Sequence, residues 1–131
     1  MFNKKKQPPI KSLIAQGSQI VGNLTFTDGL RVDGEITGNV WGNENAASIL
    51  VISESAQVVG EVCADHVIIN GSVNGPVRAR KMMELQPKAR IQGDVHYAAL
   101  EMHQGALITG QMRPMVDAEE KPLLKLAANN P

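Results

Sequence analysis

Apolar and polar positions along this chain fall into one recurring form. It runs small residue, any residue, aliphatic, any residue, glycine, any residue, aliphatic or methionine. Residues 18–24, 34–40, 56–62, 71–77, 89–95 and 106–112 all fit it. The glycine place is held by Gly22, Gly38, Gly60, Gly75, Gly93 and Gly110, spaced 16, 22, 15, 18 and 17 residues apart. A repeat of this length is the first thing to recognise, because it decides the architecture.

A second pattern keeps the same phase. Pairs of apolar residues at i and i+2 precede the last five units: Leu30/Val32, Leu50/Ile52, Val67/Ile69, Met83/Leu85 and Leu100/Met102. Ile14 stands alone before the first unit. From the second member of each pair to the small residue the gap is two or four residues. Even gaps keep the apolar side chains on one face of an alternating strand. A helix would instead repeat them at i, i+3, i+4 and i+7.

A period near 18 with short strands predicts an all-β chain, a single-domain β-solenoid of about six coils with a triangular cross-section. Bends fall at the glycines, where the missing Cβ permits unusual backbone angles. Ile36, Val58, Val73 and Ile91, with Gly38, Gly60, Gly75 and Gly93, form the predicted core repeat. Six coils at the usual strand spacing give a rod about 29 Å long. A small sandwich or barrel is the alternative, but its strands do not repeat in register. Asp28-Gly29 marks a turn. The 22-residue spacing predicts a loop over residues 42–48. Trp41 beside it is either a cap on that loop or an exposed contact residue.

Composition agrees with a narrow core. Hydrophobic residues make up 43% of the 131 positions, yet aromatics only 3%. A solenoid interior has room mainly for Val, Ile, Leu, Met and Ala. The formal net charge is zero but unevenly spread: Lys4, Lys5, Lys6 and Lys11 lie near the start with no acid among them. Met1 and Phe2 ahead of three lysines form a candidate membrane-binding tip, with Met1, Phe2, Lys4, Lys5 and Lys6 as its residues. Each lysine contributes about 1 kcal/mol near an anionic surface. Residues 1–11 and 114–131 read as flexible tails around a domain at 12–113. The second tail carries Pro114, Pro122 and Pro131 and a Leu123-Leu124-Lys125-Leu126 run.

Catalysis is not indicated. There is no phosphate-cradling Gly-x-x-x-x-Gly-Lys-Ser/Thr loop, no dinucleotide fingerprint and no nucleophile elbow. No cofactor is expected. His66, His96 and His103 are not at metal-ligand spacing, and Cys63 is the sole cysteine, read as a spectator beside an edge of the solenoid. Arg78, Arg80, Lys81, Lys88 and Arg90 read as a solvated face balanced by Glu84 and Asp94. No nucleic-acid partner is expected, since no aromatics interleave with these charges.

The segment Leu30-Arg31-Val32-Asp33-Gly34-Glu35-Ile36-Thr37-Gly38-Asn39-Val40 closely resembles the characteristic early segment of the bactofilins, bacterial polymer-forming cytoskeletal proteins. Residues 12–24 resemble the opening of their domain, and the tip Met1-Phe2 with its lysines resembles the membrane-targeting start of many members. The resemblance implies a right-handed parallel β-helix that polymerises end to end without nucleotide. It also implies a place at the inner face of the cytoplasmic membrane, with cell-wall enzymes or other envelope proteins as partners.

Physics supplies a separate motive for self-assembly. The end coils of a solenoid expose unpaired backbone groups and apolar layer edges, which soluble solenoids normally cover with polar caps. The candidate interface is Leu13, Ile14, Ile20 and Leu24 at the first coil, and Leu100, Met102, Leu107, Ile108 and Met112 at the last. Family members often carry an aromatic late in the last coil; here none follows Tyr97.

Two other classes compete. A hexapeptide-repeat acyltransferase is also a β-solenoid, but it needs a strict six-residue step. Ile20, Phe26 and Val32 keep that step; Val58, Ala64 and Asn70 do not. An ice-binding solenoid needs a face of Thr-x-Thr ladders, and only Thr25-Phe26-Thr27 is present.

Overall fold

A computed structural model describes residues 8–115. In these residues the chain winds through six coils and forms no helix. Coil one is β1 (Ile10–Ile14), β2 (Gln19–Val21) and β3 (Leu24–Phe26). Coil two is β4 (Asp28–Val32), β5 (Glu35–Thr37) and β6 (Val40–Gly42). Coil three is β7 (Ser48–Ile52), β8 (Gln57–Val59) and the first part of β9 (Val62–Ile69). The rest of β9 opens coil four, followed by β10 (Ser72–Asn74) and the start of β11 (Val77–Leu85). The end of β11, β12 (Arg90–Gln92) and β13 (Val95–Tyr97) make coil five. Coil six is β14 (Leu100–Met102), β15 (Leu107–Thr109) and β16 (Met112–Pro114).

Every pairing is parallel and links one coil to the next, so three ladders of six strand segments stack into a three-sided solenoid. The central ladder of each coil aligns Ile20, Ile36, Val58, Val73, Ile91 and Ile108 in one column. The middle four are fully buried. The apolar pairs of the sequence align likewise: Val32, Ile52, Ile69 and Leu85 are all buried in the first ladder. Within the strands of each ladder the alternation that the sequence predicts holds, with every second residue pointing inward.

The glycines form a column at one corner. Gly38, Gly60, Gly75, Gly93 and Gly110 adopt φ between 146° and 153°. All but Gly110 donate to the next coil: Gly38 N–H donates to Val59 O at 2.8 Å, and Gly60 N–H to Asn74 O at 3.0 Å. A Cβ on Gly60 would fall on the carbonyl of Gly38 in the coil before it. The residue after the glycine extends the ladder by its side chain. Asn23 Oδ1 accepts Asn39 N–H at 3.0 Å, Asn39 Oδ1 accepts Glu61 N–H at 2.9 Å, and Asp94 Oδ1 accepts Gln111 N–H at 2.9 Å. These contacts satisfy backbone donors where the chain bends away from regular strand pairing.

The second corner takes two forms, and the even gaps of the sequence encode them. A four-residue turn closes by Ala56 N–H to Ser53 O and by Ala89 N–H to Gln86 O, both at 3.0 Å. The two-residue form is Asp33-Gly34 and Asn70-Gly71. The third corner varies most. It is a single residue at Asp65, so β9 runs straight through it. It is two residues in β11, where the register slips between Ala79 and Met82. Between β6 and β7 it is a loop over residues 43–47, one residue shorter at each end than the predicted 42–48 because Gly42 and Ser48 join the strands.

Arg80 sits in that slip and corrects the expectation of a solvated basic face. Its Nε donates to Asp65 Oδ1 at 2.8 Å, and its Nη2 to Gly42 O at 2.9 Å and Asn43 O at 3.3 Å. Nη1 approaches Cys63 Sγ at 3.1 Å. Asp65 N–H donates in turn to the buried Ser48 Oγ at 3.0 Å. One guanidinium thus ties the loop to three coils. A planar five-donor group suits that role where a lysine would not. Arg80→Met is expected to cost about 2–4 kcal/mol, because the Asp65 carboxylate and the Gly42 carbonyl lose their charge-assisted partner. Urea unfolding midpoints against the native chain measure it. The other basic residues of that face do lie in solvent: Arg78, Lys81 and Arg90 are exposed, and Lys88 pairs with Glu54 at 3.4 Å, both well exposed.

Cys63 also departs from expectation. It faces outward on the third ladder, between Trp41 and Arg78 in register, yet it is buried. Burial pushes its thiol up, with Arg80 and Arg78 only partly opposing this. His66 is half-buried with Nδ1 unpartnered among the described residues, and desolvation holds its imidazole below the usual histidine range. The folded chain therefore keeps His66 neutral. Its contribution to stability is present above the ordinary value near 6.5 and is lost as pH falls through the folded value.

Candidate assembly surface

The two ends of the solenoid carry the candidate site. At one end β1, β2 and β3 pair only with β4, β5 and β6. At the other, β14, β15 and β16 pair only with β11, β12 and β13. Among the described residues, each end therefore leaves three parallel strand edges open. Such edges present rows of N–H and C=O groups to any strand that can align with them.

Register decides which predicted residues belong to the end layers. At the first coil Ile14 aligns with Val32, Ile20 with Ile36 and Leu24 with Val40, all inward columns. These three are half-buried and pack on the core. Phe26 joins them, and Ser12 completes the layer opposite Leu30. Leu13 does not: it aligns with the exposed Arg31 and is itself 56% exposed, on the outer face of β1.

At the last coil Leu100 aligns with Met83, Met102 with Leu85, Ile108 with Ile91 and Met112 with Val95. Met102 and Met112 are each 43% exposed, although the residues beneath them are fully buried. The buried Ala106 sits with them. Leu107 aligns instead with the exposed Arg90, so it lies on the outer face. Pairing runs through Pro114, one residue beyond the domain end expected at 113, and Met115 N–H reaches Tyr97 O at 2.6 Å. Among the described residues no aromatic closes this layer. Methionines fill it, and their flexible, polarisable side chains adapt to an irregular facing surface.

The end layers thus continue the core columns without a cap among the described residues. Six-coil stacking satisfies every inner layer on both sides and each end layer on one. A second apolar layer in the same columns is what both surfaces fit chemically.

The family profile for Bactofilin, described as polymer-forming cytoskeletal, matches residues 12–113. The chain belongs to the bactofilin family. Neither the comparison with curated proteins nor that with solved structures returns a match. The bactofilins are a structural, cytoskeletal family. Among the described residues, the open ladders and apolar end layers are where this bactofilin leaves its core columns uncovered. The predicted membrane tip, Met1, Phe2, Lys4, Lys5 and Lys6, lies outside the described residues, as does the Leu123–Leu126 run.

Proposed function

We propose that this bactofilin is a non-catalytic scaffold that polymerises end to end, without nucleotide, at the inner face of the cytoplasmic membrane. The observation that carries the reading is the last layer: Leu100, Met102, Ile108 and Met112 continue buried columns and, among the described residues, have nothing above them. Stacking on another subunit would pair the open strand edges and remove those side chains from water. No nucleotide is required, because hydrophobic burial and ladder hydrogen bonds supply the association free energy. Met1 and Phe2 with Lys4, Lys5 and Lys6 would tether each subunit weakly to anionic lipid. A filament presents many such tips, so binding strengthens with length because later contacts are intramolecular. The scaffold would then gather cell-wall enzymes or other envelope proteins and contribute to cell shape.

Ile108→Asp tests the contact. The substituted carboxylate would sit at the solvent edge of the free subunit but inside a dry layer in the polymer. Circular dichroism is expected to report a native fold, while electron microscopy shows loss of filaments. Leu107→Asp, one residue away on the outer face, is the matched control and is expected to assemble. Filaments undiminished by Ile108→Asp would contradict the contact.

A further inference from the structure

Parallel stacking places two carboxylates directly over one another near the last coil. Glu84 in β11 and Glu101 in β14 are register partners on the outer face of the first ladder. Like charges opposite one another in a sheet are destabilising. Among the described residues no lysine or arginine bridges either of them. What faces both is an imidazole. His103 Nε2 lies 3.0 Å from Glu84 Oε2 and 3.4 Å from Glu101 Oε2. The three ligand atoms all lie within 4.8 Å of one another.

We propose that Glu84, Glu101 and His103 bind one divalent transition cation of the zinc class. The dimensions fit. A tetrahedral ion with bonds of about 2.0–2.2 Å sets its ligand atoms about 3.3–3.6 Å apart. The two histidine–carboxylate separations already bracket the lower end of that range. The donor set is mixed nitrogen and oxygen, which suits zinc and its neighbours; magnesium and calcium prefer an all-oxygen shell. Two carboxylates and one ion also leave no net charge at the stacked pair.

The backbone prepares the arrangement. Glu101 and His103 are two apart, so both project from the same side of the chain, flanking Met102. His103 N–H donates to Leu85 O at 2.8 Å, which fixes where the imidazole starts. Gln86 Nε2 reaches Glu84 Oε2 at 3.4 Å and restrains that carboxylate from outside the triad. Such outer partners orient ligands and hold affinity. The site spans coils five and six and borders the exposed last layer. A bound ion would therefore fasten the end coil to the coil beneath it. This assignment stands on the triad's own geometry and does not depend on polymerisation.

Equilibrium dialysis of the full chain, stripped of metal and then titrated with zinc chloride, tests it. The expected result is one zinc ion per chain, with excess magnesium or calcium failing to displace it. His103→Ala and Glu101→Gln are each expected to weaken binding at least tenfold, since losing even an outer partner commonly costs about 10–100-fold. His96→Ala and Cys63→Ser are expected to leave it unchanged. Both ligand positions are partly solvent-exposed, and circular dichroism confirms that the variants keep the fold. Cobalt(II) in place of zinc should show d–d absorption without a thiolate charge-transfer band. No saturable binding, full binding in His103→Ala, loss in Cys63→Ser, or displacement by magnesium would each overturn the assignment.

Discussion

Val58→Asp is expected to abolish folding. Val58 is 1% exposed and sits in the central column between Ile36 and Val73. Three costs combine. Burial of the valine side chain, worth about 1.5–3 kcal/mol, is lost. The new carboxyl has no hydrogen-bond partner there, and burying even its neutral form costs roughly 2–7 kcal/mol. Keeping it neutral at pH 7 costs about 1.4 kcal/mol for each unit its pKa must rise. Domains of ordinary size have only about 5–15 kcal/mol in total. Far-UV circular dichroism should lose its β signal, and the chain should become insoluble. Val58→Ala removes bulk alone and is expected to cost about 2 kcal/mol while folding normally. A folded, soluble Val58→Asp chain would show that the column is not a dry layer.

Gly60→Ala should have the next largest effect, and its origin is backbone geometry. Gly60 has φ of 146°, a region that side-chain-bearing residues rarely adopt. That strain alone costs about 1–3 kcal/mol. A Cβ would also meet the Gly38 carbonyl, whose peptide unit is held by the Asn39 N–H bond to Asn23 Oδ1. Gly22→Ala separates the two causes. Gly22 has φ of 131°, but it lies in the first coil, and nothing stands within 4 Å of an added Cβ. Urea midpoints should therefore show Gly22→Ala losing only the strain, and Gly60→Ala losing the strain and more. Equal losses would mean that the stacked carbonyl contributes little.

The same two residues explain why so much of the fold was legible. Alternation within a strand and a glycine at a forced bend are local properties, so Val58 and Gly60 declare themselves in the sequence. So does the corner loop after Trp41, because a lengthened spacing has nowhere else to go. Trp41 itself is 39% exposed on the outer face of β6. Leu13 and Leu107 show where hydrophobicity misleads: both are apolar, but the repeat's phase places them at outward positions. At those two positions phase, and not side-chain type, decides the face.

What was not legible depends on register between coils. Arg80 reaches Asp65, Gly42 and Asn43 only because β11 slips by one residue against β9. Nothing local marks that slip. Glu84 and His103 are 19 residues apart, and only a known coil length places them together. Coil length varies at the third corner, so the triad could not be read from spacing. The asparagine ladder was within reach. Gly22-Asn23, Gly38-Asn39 and Gly93-Asp94 each put a short side-chain acceptor directly after the bend. Such a residue commonly satisfies backbone donors at irregular positions.

The central claim is assembly through the solenoid's two open ends. Negative-stain electron microscopy of the purified full chain, without nucleotide and with or without anionic liposomes, tests it most directly. Thin unbranched filaments in buffer alone, which coat the liposomes when these are added, are the expected result. Monodisperse particles the size of one solenoid, at concentrations where the chain is folded, would contradict it.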